Sequence, residues 1–141
     1  MNHSRLWDKG IVPHPAIIEF TSGKERETDL LLAGWDIIGS MAHVIMLCKV
    51  GLISSDEKHD LLESLHKLFL RYMDGDLKIE EGVEDIHSQI EKELSEMIGP
   101  TGRKVHTGRS RNDQVLLDIG LYTRAETDNL AECTRKLFDK L

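Results

Sequence analysis

Between His106 and Val115 the chain reads HTGRSRNDQV, which gathers two arginines, a histidine, a serine and an asparagine into ten positions. These types suit anion binding: a guanidinium grips a carboxylate through a planar fork, and an amide side chain supplies both a donor and an acceptor. The charge pattern changes sign nearby. From Glu80 to Glu96 there are seven acidic residues against one lysine, whereas from Met97 to Asn112 there are four Lys or Arg and no acid. Ser110 and Asp113 form an S-x-x-D helix start. Backbone amides, the positive end of a helix dipole and the side chains of Arg109 and Arg111 can therefore converge on one spot that favours a small di- or tricarboxylate. A solvated helix cap, with its arginines paired to the acidic 80–96 segment, accounts for the same composition, and spacing alone leaves both readings open.

The other candidate residues carry less. His87 stands one residue from an apolar stripe, where Asp85 or Glu84 could hold its ring, so a structural role is the simpler reading. His43, His59 and His66 lie in helical patterns without a complementary ligand set, and no metal site is expected. Cys48 and Cys133 are far apart and lack the spacing of a zinc or redox motif, which suits reduced thiols. No glycine-rich loop follows a strand, and no nucleophile signature is present.

Positioning falls to helices. An apolar pattern begins near Thr28 and runs to Gly51, with Leu31, Trp35, Ile38, Ala42 and Ile45 covering most of a helix circumference. Ser54 and Glu57 have the spacing of a capping box, followed by the stripe Leu61, Leu65, Leu68, Phe69 and Tyr72 and a stop at Gly75. Val83, Ile86, Ile90, Leu94 and Met97 recur at helical spacing before Gly99-Pro100, and residues 99–109 read as a loop. The helix opened by Ser110 meets no Gly, Asn or Pro stop near Leu141, so the chain is expected to be cut inside a longer helix. No strand-like alternation competes, and the expected fold is all-α.

The 141 residues suffice for one core, and 40% hydrophobic with 30% charged residues is a globular balance. A net charge of −7 argues against nucleic acid or an anionic membrane surface as partner. The apolar runs are broken by Asp, Lys, His or Gly, so no segment is expected to reach the ~20 residues of a membrane span, and the first residues lack a signal core.

EDIHSQIEKEL followed by GRKVHTGRSRNDQV resembles, in order and separation, the first signature region of the argininosuccinate lyase family, within the larger fumarase and aspartase group. DIIGSMAH near Asp36 agrees. The resemblance extends from about Phe20 to the last residue and implies a small N-terminal helical domain over 1–108, then the start of a long helix of a central helical bundle over 109–141. It further implies reversible cleavage of argininosuccinate to arginine and fumarate in arginine biosynthesis, without metal or organic cofactor, in a cytoplasmic homotetramer whose sites combine several subunits.

On this resemblance Asn112 corresponds to the substrate-binding asparagine, with Arg111 and Ser110 on the same wall and Arg109, His87 and Thr107 as supports. The catalytic histidine and serine are expected beyond Leu141, so these residues bind substrate without performing the chemistry, and no lyase activity is expected of them alone. Glu25 stands where many members carry a substrate-contacting serine, with Ser22 only a neighbour. Two alternatives remain: a non-catalytic helical anion-binding module, and a lyase for a succinylated substrate.

Overall fold

In the computed structural model the described residues are Ile17, Phe20 and 28–141; Glu25 and Ser22 lie outside them. A 3-10 turn, Leu30–Leu32, leads into α1 (Ala33–Lys49), followed by α2 (Ser55–Met73), α3 (Ile86–Ile98), a 3-10 segment Gly99–His106 and α4 (Arg111–Phe138). Among the described residues there is no strand, and the fold is all-α.

Local sequence explains where the helices start. Ser54 caps α2: its hydroxyl accepts the Glu57 N–H at 3.1 Å while the Glu57 carboxylate accepts the Ser54 N–H at 3.0 Å. Such a cap contributes about 1 kcal/mol by satisfying amides that have no partner within the helix. Asp85 caps α3 by accepting the Ser88 N–H at 2.7 Å. Ser110 and Asp113 form a second reciprocal box at the start of α4.

The core joins Ala33, Ile37, Val44 and Leu47 of α1 to Leu61, Leu65 and Leu68 of α2, and to Ile86, Ile90 and Leu94 of α3. The stripe expected on α2 is the buried one. The helix read as largely buried from Leu31, Trp35, Ile38, Ala42 and Ile45 is buried along one side only: Trp35 is half-buried and the other four are exposed, while the inward face is Ala33, Asp36, Ile37, Ser40, Val44 and Leu47. With apolar residues nearly all round α1, periodicity could not choose a face, and the partner helices chose it.

Two further expectations are corrected. Residues 99–106 form a 3-10 segment packed on α3 rather than an open loop, and Gly102 sits directly on the α3 backbone. By length and composition Leu30–Lys49 does reach the dimensions of a membrane span. Its inward face, however, carries Asp36 and Ser40 against Gln114 of α4 and Arg109 of the turn before it, as a core helix of a helical domain does.

Along α4 the inward side chains are Gln114 and Asp118, while Leu116, Leu117, Ile119, Leu130, Leu137 and Phe138 are exposed. Gly39 of α1 lets the two helices approach, since a Cβ there would stand 2.8 Å from the Leu117 side chain.

Candidate functional site

The start of α4 meets the start of α3 and the middle of α1, and the polar residues of the sequence motifs gather at that junction. Arg111 is tied down by three contacts. Its Nε lies 3.1 Å from Asp85 Oδ2, Nη1 donates to Gln114 Oε1 at 3.0 Å and Nη2 donates to Ser88 Oγ at 3.1 Å. The pairing of a motif arginine with the acidic segment, one of the two readings of the composition, is thus present for Arg111. It leaves two of the five guanidinium N–H donors for another group.

Arg109 turns the other way, into the protein, where Nη2 donates to Ser40 Oγ at 2.7 Å. Burial lowers its pKa, against the opposing pull of Asp36 and Asp118. Ser110 has its hydroxyl engaged as the α4 cap, accepting the Asp113 N–H at 3.3 Å, and Asp113 in turn is held below the usual carboxylate range by the Ser110 N–H. Thr107 contributes its carbonyl, which accepts from His43 Nε2 at 2.8 Å. Burial lowers the His43 pKa despite that bond.

Asn112, on the first turn of α4, is exposed, and its amide has no hydrogen-bond partner among the described residues. The geometry therefore separates the motif residues. Asn112 is exposed and Arg111 keeps two donors unused, whereas Ser110, Thr107 and Arg109 are engaged in holding the turn.

His87 belongs to a buried cluster that the sequence reading did not anticipate. Its Nδ1 lies 3.2 Å from Asp36 Oδ1 and 3.7 Å from Asp118 Oδ2, and the three side chains are all at most 2% exposed. Asp36 and Asp118, not Asp85 or Glu84, thus hold the ring. The closer approach is within hydrogen-bonding distance but poorly aligned, and Asp36 Oδ2, both His87 nitrogens, both Asp118 oxygens and Arg109 Nε are buried without a well-formed hydrogen bond among the described residues. Gln114 Nε2 donates to Asp36 Oδ1 at 3.3 Å, linking the cluster to Arg111. Two signals in the sequence point to these residues: Asp36 is an acid inside an otherwise apolar helix, and Arg111, Gln114 and Asp118 share one face of α4 by their i, i+3, i+7 spacing.

The ligating atoms of Asp36, His87 and Asp118 lie within 4.8 Å of one another, as a metal site requires. The Arg109 guanidinium acts electrostatically on both carboxylates and would oppose a metal cation there. Protons suit the cluster better. Burial pushes the Asp118 carboxyl up to about 7, with repulsion from Asp36 in the same direction. Burial alone would lower the His87 pKa, but the close Asp36 carboxylate, with Asp85 assisting, raises it above the ordinary value.

Both shifts act on stability with one sign. The native state binds more protons than the unfolded chain as pH rises from the unfolded Asp118 value of 3.8 toward about 7, and His87 extends the effect above 6.5. Stability is complete below these unfolded values and is lost as pH rises through the folded ones. His43, whose pKa burial lowers, opposes this up to 6.5, so the clear window lies above it: between pH 6.5 and 8 the unfolding free energy is expected to fall by about 1 kcal/mol, and Tm with it. The surface carboxylates with lowered pKa, such as Glu57 and Glu80, act in the opposite sense only near and below 4.5. Thermal melts across that range check the sign, and a Tm that rises toward pH 8 would contradict the protonated cluster.

A family model described as lyase matches residues 12–141. The chain is 46% identical over 137 residues to an argininosuccinate lyase of Bacteroides thetaiotaomicron, an alignment that covers 97% of this chain and 31% of that protein. It is 42% identical over 128 residues to one from Sorangium cellulosum, covering 91% and 30%, and 44% identical over 109 residues to one from Ruthia magnifica, covering 77% and 23%. The chain thus spans less than a third of the length of these curated relatives.

Proposed function

The chain belongs to the lyase family, and on that premise we propose that its α3–α4 junction forms one wall of an active site that cleaves argininosuccinate to arginine and fumarate. The observation that carries this reading is the unpartnered Asn112 amide on the first turn of α4, beside an Arg111 guanidinium already oriented by three contacts. Similarity to relatives bearing the name argininosuccinate lyase supports the substrate. It gives no support to a non-catalytic module or to a succinylated substrate.

Elimination from such a substrate removes a proton beside a carboxylate and loads extra negative charge onto that carboxylate before the C–N bond breaks. Donors fixed in advance stabilise this charge without reorganising at the moment of reaction. Asn112 is the donor free to contact it, and Arg111, held by Asp85, Ser88 and Gln114, offers its remaining N–H groups from a fixed direction. Ser110 caps the helix that presents both, Thr107 and His43 close the preceding turn, and Arg109 anchors it to α1.

In this reading residues 1–108 are the N-terminal helical domain and 109–141 the first part of a bundle helix. The groups that move the proton lie outside these residues. The exposed apolar face of α4 supports packing against equivalent helices in a homotetramer. Neither metal nor cofactor enters the reaction, and the setting is the cytoplasm.

The test has two arms. The purified chain alone should release no fumarate from argininosuccinate. Fused in place of the matching segment of the Bacteroides thetaiotaomicron relative, it should support turnover, and Asn112→Ala should then lower kcat/KM by about 10²-fold or more. Turnover by the isolated chain would overturn the division of labour, and a fully active Asn112→Ala fusion would overturn the site.

A further inference from the structure

Asp118 has no assigned part in substrate binding, yet it is a buried carboxyl with neither oxygen in a well-formed hydrogen bond, aimed at the ring of His87. Asp36 approaches the same ring nitrogen from α1 and also accepts from Gln114, whose own oxygen accepts from Arg111. Arg111, Gln114 and Asp118 lie at i, i+3 and i+7 along α4, so one helical face carries both ends of this chain of contacts. We propose that Asp118 is a positioning residue for Arg111: with Asp36 it brackets the His87 ring and seats α4, and the Asp36–Gln114 bond passes that seating on to the guanidinium.

This rests on the reading that Arg111 faces the substrate carboxylate. The groups acting on His87 come from every element around it. They are Asp36 from α1, Asp118 and Arg111 from α4, Asp85 from its own cap and Asp29 ahead of α1, with Arg109 beside the two carboxylates. Protons on the imidazole and, up to about pH 7, on the Asp118 carboxyl keep Asp36 and Asp118 from repelling each other across the α1–α4 contact. Loss of these protons frees Asp36 and Asp118 to move apart, and Gln114 moves with Asp36. Arg111 then keeps Asp85 and Ser88 but loses the contact that fixes Nη1. The consequence is a substrate-facing group whose placement follows the protonation of a cluster it does not touch directly.

Side-chain NMR on the full chain tests the coupling. The chemical shifts of the His87 ring nitrogens and of Arg111 Nη1 are followed from pH 5 to 9. The two chemical shifts are expected to change with one common midpoint, above the ordinary histidine value. In Asp118→Asn the common midpoint should fall by about one pH unit, because the amide no longer attracts the imidazolium. If His87 titrates while Arg111 stays unchanged, or if Asp118→Asn moves neither midpoint, the proposal is overturned. Should the variant not fold, the wild-type comparison alone decides.

A fumarate titration of the same sample separates the two readings. If the common midpoint is present but fumarate leaves the Asn112 side-chain signal unmoved, the anion site fails and the positioning of Arg111 stands.

Discussion

Gly102→Ala is expected to destabilise the chain by about 3 kcal/mol or more, a large part of what a domain of this size has. A Cβ at this position would lie 2.4 Å from the Leu94 carbonyl carbon and 2.5 Å from the Ser95 nitrogen, both backbone atoms of α3. Backbone cannot swing aside as a side-chain tip can, so the 3-10 segment Gly99–His106 must lift off α3. That segment also carries Val105 into the core and Lys104 to its ion pair with Glu57, and both contacts loosen with it. Denaturant unfolding should show a midpoint far below wild type with the slope retained. Gly120→Ala is the control: it lies within α4 with open space around it, and alanine there should be neutral or stabilising by up to about 1 kcal/mol. A Gly102→Ala midpoint near wild type would mean the segment is not seated on α3.

Asp36→Ala should cost about 3–5 kcal/mol, because it removes one partner of a buried charged group and leaves the others uncompensated. Gln114 Nε2 loses its acceptor, and His87 loses the carboxylate that keeps its pKa up. Burial then favours the neutral ring, so the pH dependence above 6.5 should weaken along with stability. Thermal melts at pH 6 and pH 8 read both effects. A loss below about 1 kcal/mol at pH 6 would show that solvent or rearrangement relieves the cluster, against its near-complete burial.

These two positions also mark where reading along the chain succeeds and where it stops. Both capping boxes, Ser54 with Glu57 and Ser110 with Asp113, are legible because they involve side chains three residues apart and the amides between them. The α2 stripe is legible because that helix has only one apolar face. On α1 the same reasoning could not choose a face, since apolar residues cover most of its circumference, and Leu31, Ile38 and Ile45 among them lie outward. Gly102 read as a loop glycine because its constraint comes from α3, a separate helix. Asp36 and Asp118 are 82 positions apart and meet only through His87.

For the anion-facing residues the division is similar. The run from His106 to Val115 identifies the helix start and supplies Arg111 and Asn112. It does not say that Arg109 points inward to Ser40, that Ser110 is engaged as a cap, or that three contacts orient Arg111. By itself the sequence determined what depends on near neighbours: helical class, caps, stops and the chemical character of the motif. The tertiary structure alone decided which face of α1 is inside, which donors remain for a ligand, and that two distant carboxylates share one imidazole. Each of those outcomes depends on desolvation and approach between helices, and such energies arise only when segments far apart in the chain are brought together.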